Sequence, residues 1–195
     1  MNKTAKLIAG ILIALIIGSA IGIGSALTAV DTVANGLSIH NGPWQTSLAA
    51  GSPQADPYTR ASIAMHFLLA LNPLEVIYYS AYKDDDGDPL QADCTYRIEG
   101  KALDTRWWSI TAYGADDFLI PNELNRYSYN MDNVQYDANK NFVIYLSKDS
   151  KTGDWLPLGD QKTFSLALRL YNPGQLIRDH PDIVELPHII KEGCK

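Results

Sequence analysis

Thr163–Phe164–Ser165–Leu166–Ala167–Leu168–Arg169–Leu170–Tyr171 alternates apolar and polar side chains almost without a break. Successive side chains of an extended strand point to opposite sides. The period-two pattern therefore assigns Phe164, Leu166, Leu168 and Leu170 to a buried face, and Thr163, Ser165, Arg169 and Tyr171 to the other. Four further stretches, Glu75–Tyr82, Cys94–Glu99, Arg106–Tyr113 and Asn141–Ser147, are also short and rich in β-branched and aromatic residues. Turn-forming residues separate them, as in Asp84–Asp88, Asp137–Asn141 and Lys151–Asp154. Many short strands without alternating helices specify a mainly β fold, an antiparallel β-sandwich or jelly-roll-like domain.

One soluble helix is expected on the N-terminal side of that domain. Asp56 is placed to cap it and Pro57 suits its first position. Ala61, Ala64, Met65, Leu68 and Leu71 follow at helical three-four spacing, and Asn72–Pro73 ends the run. Upstream, residues 31–55 are rich in Gly, Ser, Asn and Pro and read as a linker that lays Trp44 onto the domain. Downstream of Pro173, a tail bearing Pro181 and Pro187 is expected to wrap over the sandwich. The division is thus 1–30, an apolar leader; 31–55, a linker; and 56–195, one domain, a length that supports a single sizeable core.

The leader sets the address. Leu7 to Val30 is 24 residues without a charge, long enough to cross a bilayer as a helix, with Lys3 and Lys6 before it and Asp31 after. The positive-inside rule keeps the short head cytoplasmic and places the body outside, as a single-pass signal anchor of the cytoplasmic membrane carrying a periplasmic domain. A cleaved signal peptide remains the alternative, with Gly24–Ser25–Ala26 as a processing site. Both routes export the body, and the anchor makes the lipid bilayer its first partner. All 22 acidic residues lie at or after Asp31 but only 14 of the 16 basic ones do, so the exported part carries a net formal charge of −8. Such a body lacks the basic footprint that displaces counterions from phosphates, which excludes nucleic acid as a partner.

Several ordered motifs carry a family resemblance. Arg106–Trp107–Trp108–Ser109–Ile110–Thr111–Ala112–Tyr113, Asn125–Arg126–Tyr127–Ser128, Trp155–Leu156–Pro157 and Leu168–Arg169–Leu170–Tyr171–Asn172–Pro173 resemble the bacterial domain of unknown function 1214 family. Gly42–Pro43–Trp44, Asp56–Ala61 and Asp86–Leu90 extend the likeness to most of the chain after about residue 40. The resemblance implies a β-rich, jelly-roll-like fold in a stand-alone, membrane-anchored member, and it brings no established activity and no agreed catalytic residues. One departure is Gly114, where the family pattern leads one to expect an acid after the tyrosine; Asp116 and Asp117 follow instead.

Candidate chemistry centres on Arg60, Glu75, Arg106, Arg126 and Arg169, interleaved with Trp107, Trp108, Tyr127 and Tyr171. Arginine beside aromatic rings can stack on them and grip a carboxylate, sulfate or phosphate through two N–H groups. These residues read as a shallow ligand-binding site for a polar or anionic envelope molecule. The competing reading has Arg60, Arg106 and Arg169 closing ion pairs with Glu75 and the turn aspartates. Trp107 and Trp108 must face opposite sides, one toward the core and one over a surface. Glu75 is the carboxylate expected to be partly buried, next to an arginine.

Other chemistries find little footing. The acidic cluster around Gly87 fails the calcium-loop register, because Tyr82 falls at the first ligand position and Asp93 at the last. His180, Glu185 and His188 lie in a proline-bearing tail rather than on one helix face. No metal and no cofactor is expected, and no nucleophile elbow, phosphate loop or dinucleotide fingerprint occurs. Cys94 and Cys194 could join in an oxidising compartment, although a cysteine beside the C-terminus is expected to fray. The function read from these features is a binding or assembly module of the cell envelope, with a glycan, lipid or protein partner. The alternative is a carboxylate-dependent hydrolase or lyase acting on an envelope glycan or lipid, with Glu75, Asp116 or Asp117 as proton donor.

Overall fold

In the computed structural model, which describes residues 2–66 and 70–195, a long helix leads into two β-sheets. The order is α1 (Lys3–Gly36), β1 (Ile39–Asn41), β2 (Trp44–Thr46), α2 (Pro57–His66), β3 (Val76–Ala81), β4 (Cys94–Lys101), β5 (Thr105–Gly114), β6 (Ser128–Asn130), β7 (Asn141–Ser147), β8 (Asp154–Pro157), β9 (Phe164–Pro173), α3 (Gln175–Asp179) and β10 (His188–Cys194). One sheet has the order β1-β2-β3-β9-β5-β6 and the other β10-β4-β7-β8. The alternation in β9 decides its place, since Phe164, Leu166, Leu168 and Leu170 are all buried in the shared core. As the central strand of its sheet, β9 pairs antiparallel with β3 and with β5.

The two sheets meet through large rings. Trp108 of β5 stacks on Phe142 of β7 at 4.8 Å, and Tyr96 of β4 meets Phe164 of β9 edge-on at 5.5 Å. Aromatic pairs of this kind supply much of a sandwich's burial energy. One pairing departs from the antiparallel expectation: β8 runs parallel to β7. Side chains fasten it there, with Trp155 donating its indole N–H to the Ser147 carbonyl and its backbone N–H to the Tyr129 hydroxyl.

Both ends of the body differ from their sequence reading. Within 31–55, α1 continues to Gly36 and the short strands β1 and β2 follow, β1 at the sheet edge and β2 between it and β3, joined through Gly42, whose φ of 58° suits a residue without a Cβ. Trp44 is buried and donates its indole N–H to the Pro187 carbonyl. The C-terminal tail does not simply wrap over the sandwich. It forms α3 and then β10, which pairs antiparallel with β4 up to Cys194 opposite Cys94. These two cysteines form a disulfide, so the expected fraying is overturned by strand pairing that brings them together.

The helix α2 starts as expected. The Asp56 carboxylate accepts from the backbone N–H groups of Tyr58 and Thr59, and Thr59 holds that carboxyl below its ordinary value. Its described part runs to His66; Leu68 lies outside the described residues, and Leu71 is not helical. Among the described side chains of α2, Thr59 and Ser62 are buried, Ala61 is half-buried and Ala64 is exposed. α2 packs against α1 and faces the outer side of the sheet across a cavity lined by Thr59 and Ser62.

Candidate functional site

The register places a polar face on the outside of the six-stranded sheet. Because Leu168 and Leu170 point inward, Arg169 and Tyr171 point outward, and their cross-strand partners point outward with them. Tyr78 and Ser109 flank Arg169, and Trp107 lies opposite Tyr171. One step further along, Ala167 lies between Ser80 and Thr111, all three buried. Small residues thus form a trough, with larger side chains on either side.

Arg169 is the charge at the centre of this face. It is half-buried, donates from Nη1 to Thr111 Oγ1 at 3.1 Å and from Nη2 to the Tyr113 hydroxyl at 2.6 Å, and lies 5.6 Å from the Tyr113 ring centroid. Among the described residues no carboxylate pairs with it. Beside it, Trp107 meets Tyr171 edge-on at 5.3 Å and donates its indole N–H to Asp132 at 2.7 Å. The arrangement is an oriented guanidinium with unused donors, set among rings that can stack on a ligand.

The structure unites only part of the set expected from the sequence. Trp107, Arg169 and Tyr171 share the outer face, and Trp108 turns inward to the core as the alternation requires. Arg106 is exposed and, one residue before Trp107, belongs to the opposite side of β5. Arg126 donates to the Trp155 carbonyl and lies over the Tyr129 ring, while the Tyr127 hydroxyl donates to Asn125. Arg126 therefore reaches β8 of the other sheet, whereas the bond of Tyr127 is local and exposed. Arg60 is on α2, where it donates to the carbonyls of Ala55 and Pro53.

The carboxylate expectations need correction. Glu75 is exposed, not partly buried, because it precedes the first core residue of β3. None of Arg60, Arg106, Arg126 and Arg169 forms an ion pair among the described residues. Glu75 lies near the Val76–Tyr171 end of the sheet, whereas Asp116 and Asp117 follow the Gly114–Phe164 end and are exposed. No pair of acids for glycoside chemistry converges from these three. A Cβ at Gly114 would lie 2.8 Å from Asp116 Oδ1 and 2.9 Å from Gln161 Oε1, the movable ends of two side chains, so a larger residue there would require only those side chains to shift.

The acidic segment 84–88 is the tip of a short hairpin closed by the antiparallel Lys83–Pro89 bridge, within the connection between the two sheets. Buried Asp84 accepts from the backbone N–H groups of Asp86 and Asp88, and Lys191 of β10 pairs with Asp84 and Asp88. The hydrogen bond to Asp88 is the main reason the Lys191 ammonium is pushed above its ordinary value.

Next to the Arg169 face lies a cavity of about 340 Å³ that the linear reading did not find. Its floor is the outer side of β2 and β3, including Gln45, Tyr78 and Ser80; α2 contributes Thr59, Ser62 and Ile63, and the end of α1 contributes Asp31. Tyr78 joins the two features, lining the cavity and standing opposite Arg169 in the strand register. Thr111 and Tyr113 were recoverable from the sequence, because they share Trp107's parity within Arg106–Tyr113. The cavity was not, because its walls come from four separate elements.

The family described as Protein of unknown function (DUF1214) matches residues 75–175, more than half of the chain. The likeness read into Gly42–Trp44 and Asp56–Ala61 falls outside that match. No curated protein matches the sequence. Among solved structures, the VPA0106 protein from Vibrio parahaemolyticus is similar over 70% of this chain, with 24% identity and a TM-score of 0.59, and the match spans 35% of that protein's chain. An uncharacterised protein from Burkholderia cenocepacia is similar over 67% of this chain and 32% of its own, with 13% identity and a TM-score of 0.47. The matched region spans about a third of the length of each of these two solved proteins.

Proposed function

For a chain that belongs to the DUF1214 family, whose members are described as proteins of unknown function, we propose the role of a membrane-anchored, extracytoplasmic binding module that recognises an anionic or polar molecule of the cell envelope. The observation that carries this reading is Arg169. Its guanidinium is aimed by Thr111 and Tyr113, flanked by Trp107 and Tyr171, and has no carboxylate partner among the described residues. A charge held in this way is available to a carboxylate, sulfate or phosphate, and the neighbouring rings offer a stacking surface to a sugar or other ligand.

Two features support the anchored topology. The Lys3–Val33 stretch of α1 is long and apolar enough to span a membrane, and none of its most apolar window is buried against the body, which suits it to a lipid environment. The Cys94–Cys194 disulfide favours an oxidising compartment for the body. A signal sequence would show the same N-terminal pattern and would export the same domain.

The test titrates the full chain in detergent micelles with inorganic phosphate and with a uronic-acid oligosaccharide, followed by calorimetry. At least one should bind, Arg169→Ala should abolish the heat signal, and the variant should melt at the wild-type temperature. If the wild type binds neither probe, or if Arg169→Ala collapses the melting transition, Arg169 belongs to the scaffold and the reading is overturned.

A further inference from the structure

The cavity between α1, α2 and the outer sheet face differs in chemistry from the Arg169 surface beside it. Among the described residues its lining includes one charged side chain, the Asp31 carboxylate, and no Lys or Arg. No basic residue among those described pairs with that carboxylate. Among the described lining residues an anion would meet no counter-charge, whereas a cation would meet the Asp31 carboxylate. Thr46, Thr59, Ser62 and Ser80 add hydroxyl oxygens that can accept hydrogen bonds, and all four residues are buried. Tyr78 and Tyr82 add ring faces, which attract ammonium groups.

Location narrows the ligand further. Asp31 stands in the last turn of the membrane-length stretch Lys3–Val33, and Leu37, just after α1, also lines the cavity. With α1 in the bilayer, as the proposed function has it, the cavity sits where the helix leaves the apolar span, at the depth of lipid headgroups. A volume of about 340 Å³ suits a small group rather than a long oligosaccharide. We propose that this cavity binds a primary ammonium group, supplied either by a phosphatidylethanolamine headgroup or by a small free amine. It is separate from the Arg169 site, and either could fail without the other.

The experiment uses the full chain reconstituted in nanodiscs of mixed phosphatidylethanolamine and phosphatidylglycerol, released into detergent, with retained lipid counted by native mass spectrometry. Phosphatidylethanolamine should be retained about tenfold over phosphatidylglycerol, a ratio in keeping with one ion pair plus ring contacts. Asp31→Asn should remove the preference and Asp31→Glu should keep it. Free ethanolamine that displaces the lipid at millimolar concentration would assign the site to small amines, and lipid held against such competition would assign it to the headgroup. Equal retention of the two lipids, or a preference that survives Asp31→Asn, overturns the proposal.

Discussion

Trp107 and Trp108 are adjacent and of one residue type, yet they do opposite work because a strand turns successive side chains to opposite faces. Trp108 is buried against Phe142, so Trp108→Ala leaves a large void and should cost about 3–5 kcal/mol in urea denaturation. Trp107 is half-buried on the outer face, tied to Asp132 and edge-on to Tyr171, and Trp107→Ala should cost only about 1 kcal/mol. It should nevertheless weaken binding of whichever anion Arg169 recognises. If the two variants melt alike, the division between core and surface face is wrong. Arg169→Lys separates charge from geometry at the same site: a lysine cannot reproduce the fork that bonds Thr111 and Tyr113 together, so binding should fall well below wild type although the positive charge is kept.

At the level of elements, β10 shows how a tail becomes structure. It is fastened to β4 by strand pairing, by the disulfide and by the pairs Lys191 makes with Asp84 and Asp88. Closing a loop across a separation of 100 residues removes entropy from the unfolded chain, so reduction, or Cys94→Ala with Cys194→Ala, should lower stability by about 2–5 kcal/mol in thermal or urea unfolding. Electrostatics bound the pH range over which the fastenings hold. Thr59 holds Asp56 below 3.8, as Asn141 does Asp137 and Lys195 does Asp149. Their contribution is present above the ordinary carboxylate value and is lost as pH falls through the lowered folded values. Lys191 is raised above 10.5 by Asp88, and burial raises Tyr79 and Tyr96 above 10.0. Their contribution is complete below those ordinary values and disappears as pH rises past them. The melting temperature should therefore be flat between about pH 5 and 9 and drop on both sides, and a profile falling steadily through neutrality would contradict this set of groups.

For the whole molecule, an exposed apolar helix and a disulfide-closed body call for different surroundings, one lipid and the other an oxidising aqueous phase. Protease added to spheroplasts should digest the body while leaving a membrane-embedded N-terminal fragment; protection of the body would reverse the topology, and a body recovered free of the membrane would show the leader to be cleaved. The sequence alone determined the strands Glu75–Tyr82, Cys94–Glu99, Arg106–Tyr113, Asn141–Ser147 and Thr163–Tyr171, the Asp56 cap and the membrane-length helix, because each depends on local periodicity or a neighbouring side chain. It also separated Trp107 from Trp108, since parity along one strand needs no partner. Only the tertiary structure decided that β1, β2 and β10 are strands, that Cys194 reaches Cys94, and that Glu75 is exposed. Short strands have little pattern of their own and exist because a longer neighbour supplies their hydrogen bonds. The same holds for the Arg169 face and the Asp31 cavity: cross-strand register and helix packing join residues that lie far apart along the chain, and those are long-range choices made by the burial of the whole core.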